Sequence, residues 1–120
     1  MVKNVGIIGM YDEGNGHPFS FSAIVNGYSR KGFKAANWSG ILNYLESRDK
    51  KDFGFDGFHI TYAWTQDKKI TRKLCAACKI PYLVNSPGEM LGKIDALIVV
   101  RDDMLAEIAL PFLENKIPVF

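Results

Sequence analysis

The stretch GIIGMYDEGNGHP, residues 6–18, follows Met1-Val-Lys-Asn-Val and carries the decision about the fold. Val5-Gly6-Ile7-Ile8-Gly9 is apolar on both faces, as a parallel strand covered by helices on both sides requires. Glycines recur at Gly9, Gly14 and Gly16. Pro18 suits a first helical position, because the N–H it lacks is one that a helix start leaves without a partner. Phe19, Ala23 and Ile24 continue a helical stripe that Gly27 can stop. The spacing therefore predicts a buried strand, a glycine-rich turn and a helix.

A dinucleotide turn needs glycine for a tight bend, glycine where the backbone approaches the pyrophosphate, and a helix start aimed at the negative charge. In the pattern G-x-G-x-x-G begun at Gly9, the second glycine position holds Tyr11 and the third holds Gly14. One glycine is missing. Gly14 and Gly16 still free the backbone further along, so the turn reads either as a cofactor cradle or as a flexible connection. Asp12 and Glu13 place negative charge in it, which opposes a phosphate unless both side chains point away. His17 reads as a phosphate contact or as a partly exposed hydrogen-bonding residue at the helix start.

Residues 29–55 are rich in Lys, Asp and Gly, with Trp38, Ile41, Leu42 and Leu45 fitting one amphipathic helix of about three turns. The segment reads as an insertion. FHITYAW, residues 58–64, is aromatic and β-branched and predicts a strand, followed by Thr65-Gln66-Asp67 and a helix over 68–79 that Pro81 ends. Asp67 is the candidate to hold an adenosine ribose at the end of this second strand, with Thr65 and Gln66 as neutral alternatives. It lies much further from the glycines than the usual roughly 20 residues, a gap the insertion accounts for. Helix capping is its competing role.

Residues 82–84 form a short strand candidate, and Ser86-Pro87-Gly88-Glu89 matches a capping box. IDALIVV, residues 94–100, is the clearest buried strand. Arg101-Asp102-Asp103 follows at its carboxyl end, where ligands bind in sheets of this kind; Arg101 and Asp102 either face a ligand or pair with each other. Leu105, Ile108, Ala109 and Phe112 line one face of a further helix, with Asp102 or Asp103 as its cap and Pro111 bending it. Residues 117–120 begin a fifth strand. The alternation implies right-handed crossovers and an α/β fold, a doubly wound, Rossmann-like parallel sheet in one domain over residues 1–120. The sheet reads as truncated after its fifth strand, since no loop follows that strand.

At 120 residues and 48% hydrophobic content the chain can bury a core as one domain. A net charge of +2, from 15 basic and 13 acidic residues, gives no bulk electrostatic case for nucleic acid or a membrane surface. The expected partner is a small molecule or another protein. No apolar run approaches the roughly 20 residues of a membrane span, and the start lacks a signal-peptide layout, so a cytoplasmic location is expected. Cys75 and Cys78 are spaced as a redox pair or half a zinc site, but there is no second cysteine pair and the histidines are His17 and His59 alone. Ile70, Leu74 and Cys78 recur at helical spacing, which favours Cys78 as a small core residue. His59 reads as a packed or edge histidine, and Trp38 and Trp64 as core or interface residues.

The ordered set VGIIGMYDEGNGHPFSFSAIVNGY, HITYAWTQD, IDALIVVRDD and LPFLENKIPVF resembles the glucose-fructose oxidoreductase, inositol dehydrogenase and rhizopine-catabolism family, Gfo/Idh/MocA. The resemblance covers nearly the whole chain. It implies the dinucleotide-binding domain of an oxidoreductase that uses NAD or NADP and acts on a sugar, inositol or related polyol by hydride transfer. A largely β-sheet domain for substrate and oligomer contacts would follow it in full-length members. Carried over, Gly9, Gly14 and Gly16 would lie near the pyrophosphate, Asp67 or Thr65 near the adenosine ribose, and Arg101 and Asp102 beside the nicotinamide side of the crevice. Tyr11 and His17 belong to the same turn. The family's catalytic lysine would lie just past Phe120, so the 120-residue chain alone is expected to be inactive.

Two other readings stand beside this one. A non-catalytic module of the same fold would sense a nucleotide or bind a partner, and the open edge at residues 117–120 would support a homo-oligomer. A receiver-like domain fits the fold class, but no phosphorylatable aspartate ends a buried strand of the first half with a matching lysine and threonine.

Overall fold

The computed structural model describes residues 2–9 and 15–120; the expectations for Tyr11, Asp12, Glu13 and Gly14 fall outside the described residues. The elements in order are β1 (Lys3–Gly9), α1 (His17–Asn26), α2 (Arg30–Ala35), α3 (Ser39–Glu46), β2 (Phe58–Thr65), α4 (Lys68–Cys78), β3 (Tyr82–Leu83), β4 (Ala96–Val100) and α5 (Leu105–Glu114). Single 3₁₀ turns occupy Lys50–Asp52 and Pro87–Met90. The four strands form a sheet in the order β3-β2-β1-β4, and every pairing is parallel. Val119 adds a parallel bridge to Leu97, so residues 117–120 begin a fifth position beside β4. The expected α/β, doubly wound, Rossmann-like architecture is present.

The strand order reverses at β1. The chain leaves β1 towards β2 on one side and returns to β4 on the other, which is the arrangement that opens a crevice at the carboxyl ends of the strands. One face of the sheet carries α1 and α4 over Val5, Ile7, Ile60 and Ala63, with α2 and α3 packed outside them through Phe33, Leu42 and Leu45. Aromatic contacts bind these layers: the rings of Phe19 and Phe33 meet edge to face at 5.9 Å, and Trp38 lies 5.8 Å from Phe19. The opposite face buries Ile8 and Leu97 against Val84, Met90, Ile94, Ile108 and Phe112.

The region 29–55 holds two short helices rather than one. Ser29 caps α2, its hydroxyl accepting from the Gly32 N–H. Gly32 then lets α2 lie directly on α4: a Cβ there would come within 2.7 Å of Ala77 Cα and 2.8 Å of the Ala76 carbonyl oxygen. The sequence shows apolar spacing only in the second helix, because α2 seats itself by backbone approach and a single phenylalanine.

Asn26, the last residue of α1, fills a gap in the sheet. β3 pairs only with Tyr62 and Ala63 of β2. Below it the Asn26 amide accepts from the Ile60 N–H at 2.8 Å and donates to the Ile60 carbonyl at 2.9 Å and the Cys78 carbonyl at 3.1 Å. α4 ends at Lys79 in a left-handed conformation, φ 56°, two residues ahead of Pro81. α5 continues through Pro111 to Glu114.

Both cysteines are free, and Cys78 is buried. Burial pushes the Cys75 thiol up to about 11 and raises Cys78 further, with Cys75 beside it adding to the rise. Neither is a thiolate near neutral pH, which agrees with a packing role. Among the described residues no three His, Cys, Asp or Glu side chains gather as metal ligands, and no helix is long and apolar enough to cross a membrane.

Candidate functional site at the carboxyl ends of the strands

The site is built around the tip of β1. Gly9 pairs with Thr65 at the end of β2 and with Val100 at the end of β4. A side chain on Gly9 would collide with the Pro18 ring, so this glycine lets α1 begin directly against the strand. That close strand-to-helix approach is what the turn of a dinucleotide fold uses. Gly16 serves a different contact, since a Cβ there would lie 2.7 Å from Ile41 and 3.0 Å from the Trp38 ring.

Asn15 ties the turn to the strand across the crevice. Its Oδ1 accepts from the His17 N–H at 3.0 Å, and its Nδ2 donates to the Val100 carbonyl at 3.2 Å. The first contact is an Asx turn, a local habit of asparagine before a helix. The second spans 85 residues, so no local pattern announces it. The amides at the start of α1 are engaged: His17 donates to Asn15, Pro18 has none, and Phe19 donates to the Gly16 carbonyl at 3.0 Å. His17 itself is exposed and stacks on Phe21 at 5.4 Å. Beside it, a cavity of about 380 Å³ is lined by Asn15, Gly16, His17, Ser20, Trp38 and Ile41.

At the end of β2, Asp67 caps α4 through one carboxylate oxygen, accepting from the Lys69 N–H at 2.9 Å. Its other oxygen takes no hydrogen bond from a described residue. Thr65 is buried, and its hydroxyl lies 2.8 Å from both the Thr71 hydroxyl and the Asp67 carbonyl. That hydroxyl is spent on the turn, which leaves Asp67 and Gln66 as the other polar side chains at this strand end. A smaller cavity of about 130 Å³ lies here, with Trp64, Gln66, Lys68 and Asn85 in its wall.

At the end of β4, Arg101 pairs with Asp103 and not with Asp102. The guanidinium grips both oxygens of Asp103, Nε to Oδ1 at 2.5 Å and Nη2 to Oδ2 at 2.8 Å. Its third nitrogen lies 3.4 Å from Gln66 Oε1, and its carbon sits 5.5 Å from the Trp64 ring centroid. The Arg101 side chain is only 4% exposed. The hydrogen bonds from Arg101 hold the Asp103 carboxyl below its usual value. Asp102 is exposed. Neither aspartate caps α5, because Met104 takes the cap position in a left-handed conformation, φ 52°, with no side-chain bond.

The structure thus brings Gly9, Asp67, Gln66, Arg101 and Asp102 to one end of the sheet, with Asn15, Gly16 and His17 at the start of α1 beside it. Asn15 escapes the sequence reading because its contact with Val100 depends on which strand ends become neighbours, whereas Asp103 belongs to the charged trio after β4, where spacing leaves its local pairing with Arg101 open.

No family model matches the sequence, and none of the curated proteins does. Among solved structures, the crystal structure of myo-inositol 2-dehydrogenase from Lactobacillus plantarum is similar in fold, with a TM-score of 0.62 and 14% sequence identity. The likeness covers 100% of this chain and 27% of that one, so the chain spans about a quarter of the dehydrogenase's length. At this identity the relationship shown is one of fold.

Proposed function

We propose that this chain is the nucleotide-binding part of an NAD(P)-dependent oxidoreductase that acts on a sugar, inositol or related polyol. The observation that carries the reading is the switch point at Gly9, where the strands on either side of β1 end together and α1 starts against the glycine with no room for a side chain. The fold of an inositol dehydrogenase supports it.

The residues present fit a dinucleotide at its adenosine end. Asp67 stands at the tip of β2 with a carboxylate oxygen left over after capping, an acceptor of the kind that a ribose hydroxyl pair donates to. A carboxylate there repels a 2′-phosphate, so NAD is favoured over NADP. When bound, the nicotinamide supplies the hydride chemistry. The chain's own residues bind and orient: Gly9 admits the close approach, and Arg101, Gln66 and Asp102 form the rim on the β4 side. Lys116 takes no part, since it lies in the exposed turn before the fifth strand, at the end of the sheet opposite to Gly9.

The test is direct binding. NADH fluorescence anisotropy should show saturable binding to the 120-residue chain, weaker for NADPH and reduced by Asp67→Asn. Absence of saturable binding for NADH, NADPH and ADP-ribose at millimolar concentration would overturn the reading.

A further inference from the structure

Gly9 is flanked in register by Thr65 and Val100, and the residues that follow these two, Gln66 and Arg101, touch each other at 3.4 Å. The Arg101 guanidinium therefore spans the tip of β1. It is held there by the Trp64 ring and by its near-complete burial. At the α1 start, His17 and Phe19 donate internally and Pro18 has no N–H. A phosphate entering this crevice meets a donor of a different kind in Arg101, since the planar fork of an arginine fits phosphate as well as it fits carboxylate.

We propose that Arg101 is the phosphate-binding group of this crevice and that Asp103 is an internal stand-in for the ligand, which a nucleotide's pyrophosphate displaces. This rests on the nucleotide-binding reading above. Three features support it. Asp103 occupies both oxygens on the same two guanidinium nitrogens that a phosphate would use. It is partly exposed, at 32%, while Arg101 is not, so the carboxylate can leave and the guanidinium stays. It also lies in a short turn that ends at the left-handed Met104 and makes no cap for α5, so its release breaks no helix contact. In the free chain Asp103 satisfies a buried cation that would otherwise be costly to leave unpaired.

Calorimetric titration with ADP-ribose, compared with adenosine, tests the exchange, because only the first carries the pyrophosphate. Asp103→Asn should tighten ADP-ribose binding about three- to tenfold, by removing the competing charge. Arg101→Gln should weaken it at least about tenfold. Adenosine affinity should be the same in all three proteins, and the gain from Asp103→Asn should vanish in the double variant. If Arg101→Gln does not fold, as judged by circular dichroism, Arg101→Lys with Asp103→Asn completes the cycle. Unchanged or weaker ADP-ribose binding by Asp103→Asn, with adenosine still bound, would overturn the exchange and leave the nucleotide reading intact. No binding of either compound to the wild type or to Asp103→Asn would overturn both.

Discussion

The two flanks of β1 are finished to different degrees. On the β2 side, α1 and α4 cover the strands, α2 and α3 cover the helices, and Phe19, Phe33, Leu45 and Leu74 are fully buried. On the β4 side a single helix, α5, packs through Ile108 and Phe112 while Leu110 and Leu113 remain exposed. Between α1 and the strands, an apolar groove of about 230 Å³ reaches from Phe58 and Ile60 of β2 past Val5 to Ala96 and Ile98 of β4. Burial of apolar side chains is the main source of stability, so the β2 flank carries the fold, and the β4 flank contributes mostly one wall of the crevice.

The difference is broken or sharpened by substitution, starting with the largest effect. Phe33→Ala, in the outer helix layer, should cost about 3–5 kcal/mol in urea unfolding, whereas Phe120→Ala, at a residue 77% exposed, should change stability by less than about 0.5 kcal/mol. Equal losses at the two sites would refute the contrast. Gly32→Ala should cost about 1–3 kcal/mol, because backbone and not a pliable side chain opposes the new methyl; a thermal midpoint equal to wild type would show that α2 moves freely on α4.

Asp67 separates stability from binding. Removing the cap with Asp67→Ala should cost about 1 kcal/mol, while Asp67→Asn keeps a capping oxygen, so its melting temperature should match wild type even as NADH binding weakens. Ser22 is the described buried side chain whose polar atom has no partner. Ser22→Ala should therefore leave stability unchanged or raise it by up to about 1 kcal/mol, since the desolvated hydroxyl goes unrewarded.

The smallest effect concerns pH. Asp103 is held below its ordinary value of 3.8 by the Arg101 hydrogen bonds. A group depressed in the folded state stabilises above its unfolded value and loses that contribution as pH falls through the folded one. The stability difference between wild type and Asp103→Asn should therefore be complete near neutrality and fade below about pH 4, with salt reducing it throughout. A difference that persists at low pH would exclude the ion pair as its source.

Much of this was legible along the chain. The apolar strands, the Pro18 start of α1 and the Ser86 capping box follow from periodicity and local chemistry, and the cysteine spacing led to a buried thiol. Two features escaped for a common reason. α2 depends on contact with α4 and Asn15 depends on Val100 arriving beside it, and pairing at a distance has no signature in spacing. Arg101 is a local case: it takes Asp103, two residues on, over its immediate neighbour, a choice that spacing alone leaves open.

Asn26 has a further consequence. β3 is two residues long, so the lower part of β2 would present an open row of backbone donors and acceptors to any passing strand. The side-chain amide at the end of α1 plugs that row as a surrogate for a missing strand. An unplugged edge invites intermolecular pairing, which makes Asn26 a gatekeeper against aggregation as well as a clamp between helix and sheet. Asn26→Asp would put a carboxylate against the Ile60 carbonyl and cancel that protection without emptying any volume from the core.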